Sequence, residues 1–350
     1  MPSRWWSLLL LYACLLLPGA VSAADPCPLL RAQTNAVDFA TRIAAIACHE
    51  HQLWYRPFID SEGRVAGSSV REAEASQLAN GEHAWRRVAG YWHGSGLMGA
   101  VAQRPGAAEC GHAGTGGAAL PACRTFIIDT PWSAAFVSWV VRQAALPGFN
   151  ASASHVSYVR DAYRAPDDSP YRVVAPEAAT PARGDLLCYA RSADRTFGFA
   201  GLAQLLATSD EGLGMHCDIV VDAQPRLGLA WLVGGNVFDG VTMRVLPLTA
   251  GGRFRDLPSR SPADPPCSPD LPAQCNANRQ DWTVLLQLRP PEALAGLVPP
   301  PPPTPAAAAQ PLPAGFPTQP AGTPAGCCVH CVAGDTRVPR CPRVPAGAAD

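Results

Sequence analysis

Residues 299–303 are uninterrupted proline, and from residue 290 to the end proline, alanine and glycine dominate the chain. Such a segment has too few large apolar side chains to bury a core, and proline supplies no backbone donor, so polyproline-like or disordered chain is expected there. The fold must therefore be built upstream, in a domain expected to end near Leu288. Residues 1–23 read as a secretory signal: Arg4 supplies charge, residues 7–17 the apolar stretch, and Val21, Ser22 and Ala23 a small-residue cleavage site. That stretch is too short and too early for a membrane span. The expected organisation is a leader over 1–23, a single domain over 24–289 with a Pro-rich insertion near 251–280, and a tail over 290–350. The mature protein is expected to be exported, periplasmic or extracellular, without a stable membrane span.

Export makes the cysteines legible, because an oxidising compartment favours bridges. Of 13 cysteines, Cys14 falls in the leader, which leaves an even number. Cys27 with Cys48, Cys110 with Cys123, and Cys267 with Cys275 are plausible local clasps, although spacing alone does not fix connectivity. Cys327, Cys328, Cys331 and Cys341 lie in the tail with His330 among them. One C-x-x-C without a second well-spaced pair is weak evidence for zinc, so tail disulfides or redox-sensitive thiols are expected and no metal site is assigned. The formal net charge of -1 gives no electrostatic reason to expect a nucleic-acid partner.

Apolar residues at helical spacing predict amphipathic helices over 36–54 and 70–92. Residues 104–122 read as a Gly/Ala/Pro-rich loop held by Cys110 and Cys123. Thr130 as N-cap and Pro131 at the first helical position open a buried helix over 134–145, which places Ser133 in its first turn. A hydroxyl there lies at the positive end of the helix dipole, beside backbone N–H groups without intrahelical acceptors. A short helix over 154–163, a loop over 166–181, and strands near 185–190, 216–221, 229–233, 241–246 and 282–288 follow. Alternation puts Cys217 on the opposite face of its strand from His216. Helices leading into strands at short spacing predict an α+β fold, with N-terminal helices packed on a small antiparallel sheet.

At Trp132-Ser133-Ala134-Ala135-Phe136-Val137-Ser138-Trp139 the chain resembles the nucleophile helix of the CHAP family, the cysteine- and histidine-dependent amidohydrolases and peptidases, whose pattern has Cys where Ser133 stands. Residues 181–187 resemble that family's strand entry, residues 216–221 its histidine strand, and Gly235-Asn236 its closing Asn strand. More closely, the combination resembles the bacterial domain of unknown function 2272 family over roughly residues 36–289. The resemblance implies a papain-like (CHAP-like) α+β fold related to peptidoglycan amidases and peptidases. It gives Ser133 the nucleophile's place, His216 the general base's and Asn236 that of the residue orienting the imidazole.

Imidazole titrates near neutrality and shuttles protons, while a side-chain carbonyl on the facing strand can fix its tautomer. Asp218, on the same strand face as His216, and Asp239 are alternative orienters. His155 and Tyr158, on one face of the next helix, and Trp132 beside the serine are candidate substrate-binding residues. No metal or organic cofactor is required. The resulting expectation is an exported cell-envelope hydrolase acting on peptidoglycan peptide or amide bonds. A catalytically inactive module that binds peptidoglycan or an envelope protein is the alternative, and a third is that the tail mediates assembly on a scaffolding domain.

Overall fold

The structure, a computed structural model, describes residues 25–67, 70–72, 76–111 and 119–299. The expected leader, and the tail beyond residue 299 with its cysteines, lie outside them. Eight strands form one sheet: β1 (Phe58–Ile59), β2 (Val65–Ala66), β3 (Tyr171–Val174), β4 (Leu186–Ala190), β5 (Met215–Gln224), β6 (Leu229–Val237), β7 (Gly240–Pro247) and β8 (Asp281–Leu288). Their order is β2-β1-β7-β6-β5-β4-β8-β3. The sheet is larger than expected and not wholly antiparallel, because β1 joins the edge of β7 in parallel, Phe58 opposite Met243. Tyr171–Val174, expected as loop, pairs with β8.

Among the described residues the helices are α1 (Cys27–Leu30), α2 (Phe39–Leu53), α3 (Ala84–Gly94), α4 (Ala107–Cys110), α5 (Ala119–Asp129), α6 (Ser133–Gln143), α7 (His155–Arg164), α8 (Gly198–Thr208) and α9 (Pro291–Leu294). α2 starts where Asp38 caps it, its carboxylate accepting the Thr41 N–H at 2.7 Å. The helix expected from residue 70 is confined to α3, because Asn80-Gly81 turns the chain just before it and Gly81 takes φ +82°. α6 begins at Ser133 with Trp132, not Thr130, in the cap position, so Pro131 lies outside the helix. α4 lies within, and α5 begins within, the stretch expected as loop; α8 was not anticipated either, its Leu202, Leu205 and Leu206 being diluted by glycine and alanine.

Strand alternation divides the core into two layers. Cys217, Ile219 and Val221 of β5, with Trp231 and Val233 of β6, join Ile43, Ala47, Trp92, Phe136, Val137 and Val140 of the helices. Val220, Leu187, Leu232 and Leu246 face the other way, onto Phe254, Leu257 and Trp282. The insertion over 251–280 is thus no mere surface excursion: it covers the second face of the sheet, each fully buried large side chain contributing about 1.5–3 kcal/mol. Packing also runs past Leu288, where Leu294 is buried and the Gly148 N–H donates to the Val298 carbonyl at 2.8 Å.

The three local cysteine pairs are bridged, Cys27 to Cys48, Cys110 to Cys123 and Cys267 to Cys275. A fourth bridge joins Cys188 and Cys217, which stand directly opposite each other on β4 and β5. Its sulfurs lie in the helix-side layer, on the face of β5 away from His216. No helix among the described residues is long and apolar enough to cross a membrane.

Candidate functional site

Ser133 is the first residue of α6, whose first intrahelical bond runs from the Phe136 N–H to the Trp132 carbonyl at 2.9 Å. The N–H groups of residues 133–135 therefore have no intrahelical acceptor, and the helix dipole favours negative charge beside them. α6 lies tight against the sheet because Gly235 leaves room for it. A Cβ on Gly235 would stand 2.4 Å from Cγ of Phe136.

The loop after α6 returns to that helix through Ser138, whose hydroxyl donates to the Ser152 carbonyl at 3.0 Å and accepts the Ser152 N–H at 3.1 Å. This staple sets the start of α7 at His155. Its ring reaches the serine, with Nε2 2.7 Å from Ser133 Oγ, and its Nδ1 is hydrogen-bonded to the Tyr158 hydroxyl. Burial, and then the neighbouring His216, push the His155 pKa well below its ordinary value, while burial pushes Tyr158 well above its own. A neutral imidazole beside a protonated phenol results. With Nδ1–H donated to the phenol oxygen, Nε2 is free to accept the serine proton.

His216 lies next to this pair without bonding the serine: its ring centroid is 5.4 Å from that of His155 and 5.1 Å from that of Tyr189. Its Nε2 is 2.7 Å from Asp218 Oδ1. Asp218 Oδ2 accepts from Arg244 Nε at 2.9 Å, and Arg244 Nη1 donates to the Ala277 carbonyl at 2.7 Å and to Asn278 Oδ1 at 2.8 Å. Burial raises the Asp218 carboxyl, but the charges of His216 and Arg244 and their hydrogen bonds outweigh it and hold the group well below the usual carboxylate range. Asp218 is therefore an ionised, acceptor-only group, and His216 Nε2 is the donor.

The structure brings Ser133, His155, Tyr158 and His216 together and leaves Asn236 out. Asn236 sits at the bulge where β6 meets β7, at φ +58°, and its side chain makes no hydrogen bond among the described residues. The group bonded to His216 is the Asp218 carboxylate, one pleat along β5, and not the Asn236 amide. Asp239 is not placed as orienter; its carbonyl accepts the Glu72 N–H at 2.9 Å. Trp132 offers no surface to a substrate, because its ring is fully buried against Trp54 and Tyr91. Its Nε1 donates to Glu72 Oε2 at 2.6 Å, and burial of that carboxyl, aided by the charge of Asp239, raises its pKa to about 7.

Arg244 and Glu72 were missed from the sequence. An arginine inside the mostly apolar run Val241-Thr242-Met243-Arg244-Val245-Leu246 was the available signal, since a cation in a buried strand requires a carboxylate partner. Among the described residues no group of three or more His, Cys, Asp or Glu side chains is placed to hold a metal ion.

The family model for uncharacterized proteins conserved in bacteria (DUF2272) matches residues 79–288. The chain belongs to the DUF2272 family. The match begins later than the expected residue 36, so α2 lies outside the DUF2272 segment although its side chains share that segment's core. No curated protein and no solved structure matches this DUF2272 chain.

Proposed function

We propose that this DUF2272 protein is an exported hydrolase of the amidase or peptidase class that cuts peptide or amide bonds of peptidoglycan, with Ser133 as nucleophile. The observation that carries the reading is the 2.7 Å contact between Ser133 Oγ and His155 Nε2 at a helix N-terminus. Serine is too weak an acid to ionise on its own and needs a base to take its proton during attack, and a neutral imidazole at this distance meets that need. The free N–H groups of the first turn of α6 are the available donors for the oxyanion. A nucleophile helix laid on a sheet whose central strand carries a histidine agrees with a papain-like, CHAP-like ancestry. Four bridges among the described residues agree with an oxidising compartment outside the cytoplasm.

Purified mature protein incubated with peptidoglycan is expected to release fragments detectable by mass spectrometry, and Ser133→Ala is expected to release none. Fragments appearing equally with Ser133→Ala would remove Ser133 from the chemistry. One observation favours a second reading, an inactive module that binds peptidoglycan or an envelope protein: Ser133, His155 and His216 are only 5%, 4% and 1% exposed. A native protein that sediments with peptidoglycan as strongly as Ser133→Ala, and that like Ser133→Cys releases nothing, would establish that module instead.

A further inference from the structure

The Ser133–His155 pair already contains the imidazole that acylation needs. His155 is engaged at both nitrogens, Nε2 on the serine and Nδ1 on Tyr158. A second imidazole nevertheless stands in ring contact with it, 5.4 Å between centroids, and this one carries the carboxylate support that the first lacks. We propose that His216, held by Asp218 and Arg244, is a second base that activates the water molecule which removes the acyl group from Ser133. The proposal rests on the serine-hydrolase reading above and divides its two half-reactions between two histidines.

The atoms assign the roles. The Asp218 carboxylate can only accept, so His216 Nε2 holds its hydrogen there, and once the ring gives up its second proton the lone pair is at Nδ1. The hydrogen bond that His216 makes among the described residues uses Nε2, not Nδ1. The carboxylate cannot swing away, since its other oxygen is bonded to an arginine that is itself held by the Ala277 carbonyl and Asn278. Asn278 in turn donates to the Asp60 carbonyl at 2.8 Å, which ties this support to the loop after β1. Such backing by fixed hydrogen bonds keeps an imidazole in one tautomer and one orientation. Arg244 and Asp218 act through His216 and are positioning residues.

In acylation Ser133 Oγ bonds to the substrate carbonyl carbon while its proton passes to His155 Nε2, and the leaving amine takes that proton as the C–N bond breaks. In deacylation a water oxygen bonds to the acyl carbon while its proton passes to His216 Nδ1. The bond from the acyl carbon to Oγ then breaks, the serine oxygen takes the proton back, and the product departs as a carboxylic acid. Water is the only co-reactant.

Full-length mature protein and p-nitrophenyl acetate separate the two halves. Wild type is expected to turn over continuously. His216→Gln and Asp218→Asn are expected to release one p-nitrophenol per protein at the wild-type rate and then stall. Loss of a general base lowers the following steady rate about 100-fold or more. Intact mass should show an acetyl group that is absent in Ser133→Ala, and hydroxylamine, which needs no base to attack, should restart release. Steady turnover of both variants at the wild-type rate would overturn the proposal, as would loss of the first burst in both. A wild-type protein that releases no p-nitrophenol overturns the serine-hydrolase reading and this one with it. Continuous wild-type turnover without the stall in either variant overturns this one alone.

Discussion

Gly234 owes its place to the carboxylate beside it. A Cβ there would stand 1.9 Å from Asp218 Oδ1 and 2.9 Å from His216 Nε2, far inside contact distance. Gly234→Ala must therefore displace the carboxylate from between His216 and Arg244, at a cost of about 1–3 kcal/mol for overpacking. The expected outcome is a lower denaturant midpoint together with a stall after the first p-nitrophenol; an alanine variant with unchanged steady turnover would show that the dyad tolerates displacement. At this scale much of the site was readable. Ser133, His155, Tyr158 and His216 all carried a signal, from a helix start, a helix face and a strand position. What the sequence could not convey was partnership: spacing along α7 says that His155 and Tyr158 share a face, but not that the face turns toward Ser133. That orientation depends on the Ser138–Ser152 staple, a contact between a helix and a loop that no periodicity encodes.

Among the elements, β4 and β5 are joined twice, by their ladder and by the Cys188–Cys217 bridge. The bridge closes a loop of sequence separation 29 that contains α8, so it restricts the unfolded chain. Replacing both cysteines with alanine is expected to cost about 3–4 kcal/mol by the loop-entropy relation, read as a fall in the denaturant midpoint. A change below the resolution of the titration would mean that the ladder alone fixes the pair. Spacing offered the three local pairs as plausible clasps without fixing their connectivity, whereas it offered no pairing of residues 188 and 217, whose opposition is a matter of strand register. Strand content was legible wherever β-branched and leucine-rich runs were long, as in β5 to β8. It failed for Tyr171–Val174, which is short, at the edge, and flanked by proline and charge.

For the molecule as a whole, the family segment and the folding unit do not coincide. Residues 79–288 carry Ser133, His155, Tyr158, His216, Asp218 and Arg244, yet Ile43, Ala44 and Ala47 of α2 are fully buried in the core shared with α6 and β5, and β1 caps the edge of β7. A chain trimmed to residues 79–288 would bare that helix-side core and leave β7 as an open edge, a template for association. It is expected to be insoluble or to lose cooperative unfolding, whereas a chain over residues 25–299 should unfold in one transition; a trimmed chain that melts like the longer one would show that α2 is dispensable. The coarse α+β architecture followed from the alternation of helical and strand patterns, but the parallel entry of β1 did not, since two residues carry no pattern at all.

The bridge between Cys188 and Cys217 lies on the strand that carries His216, one residue away and on the opposite face. While those two sulfurs are thiols, the strand pair is held by hydrogen bonds alone, and oxidation adds a covalent tie at the level of the imidazole. Redox history is thereby written into the local stiffness of the strand that carries His216. A sample made in a reducing host and one oxidised after synthesis are two preparations of one sequence, and comparisons of their activity should begin with a thiol count.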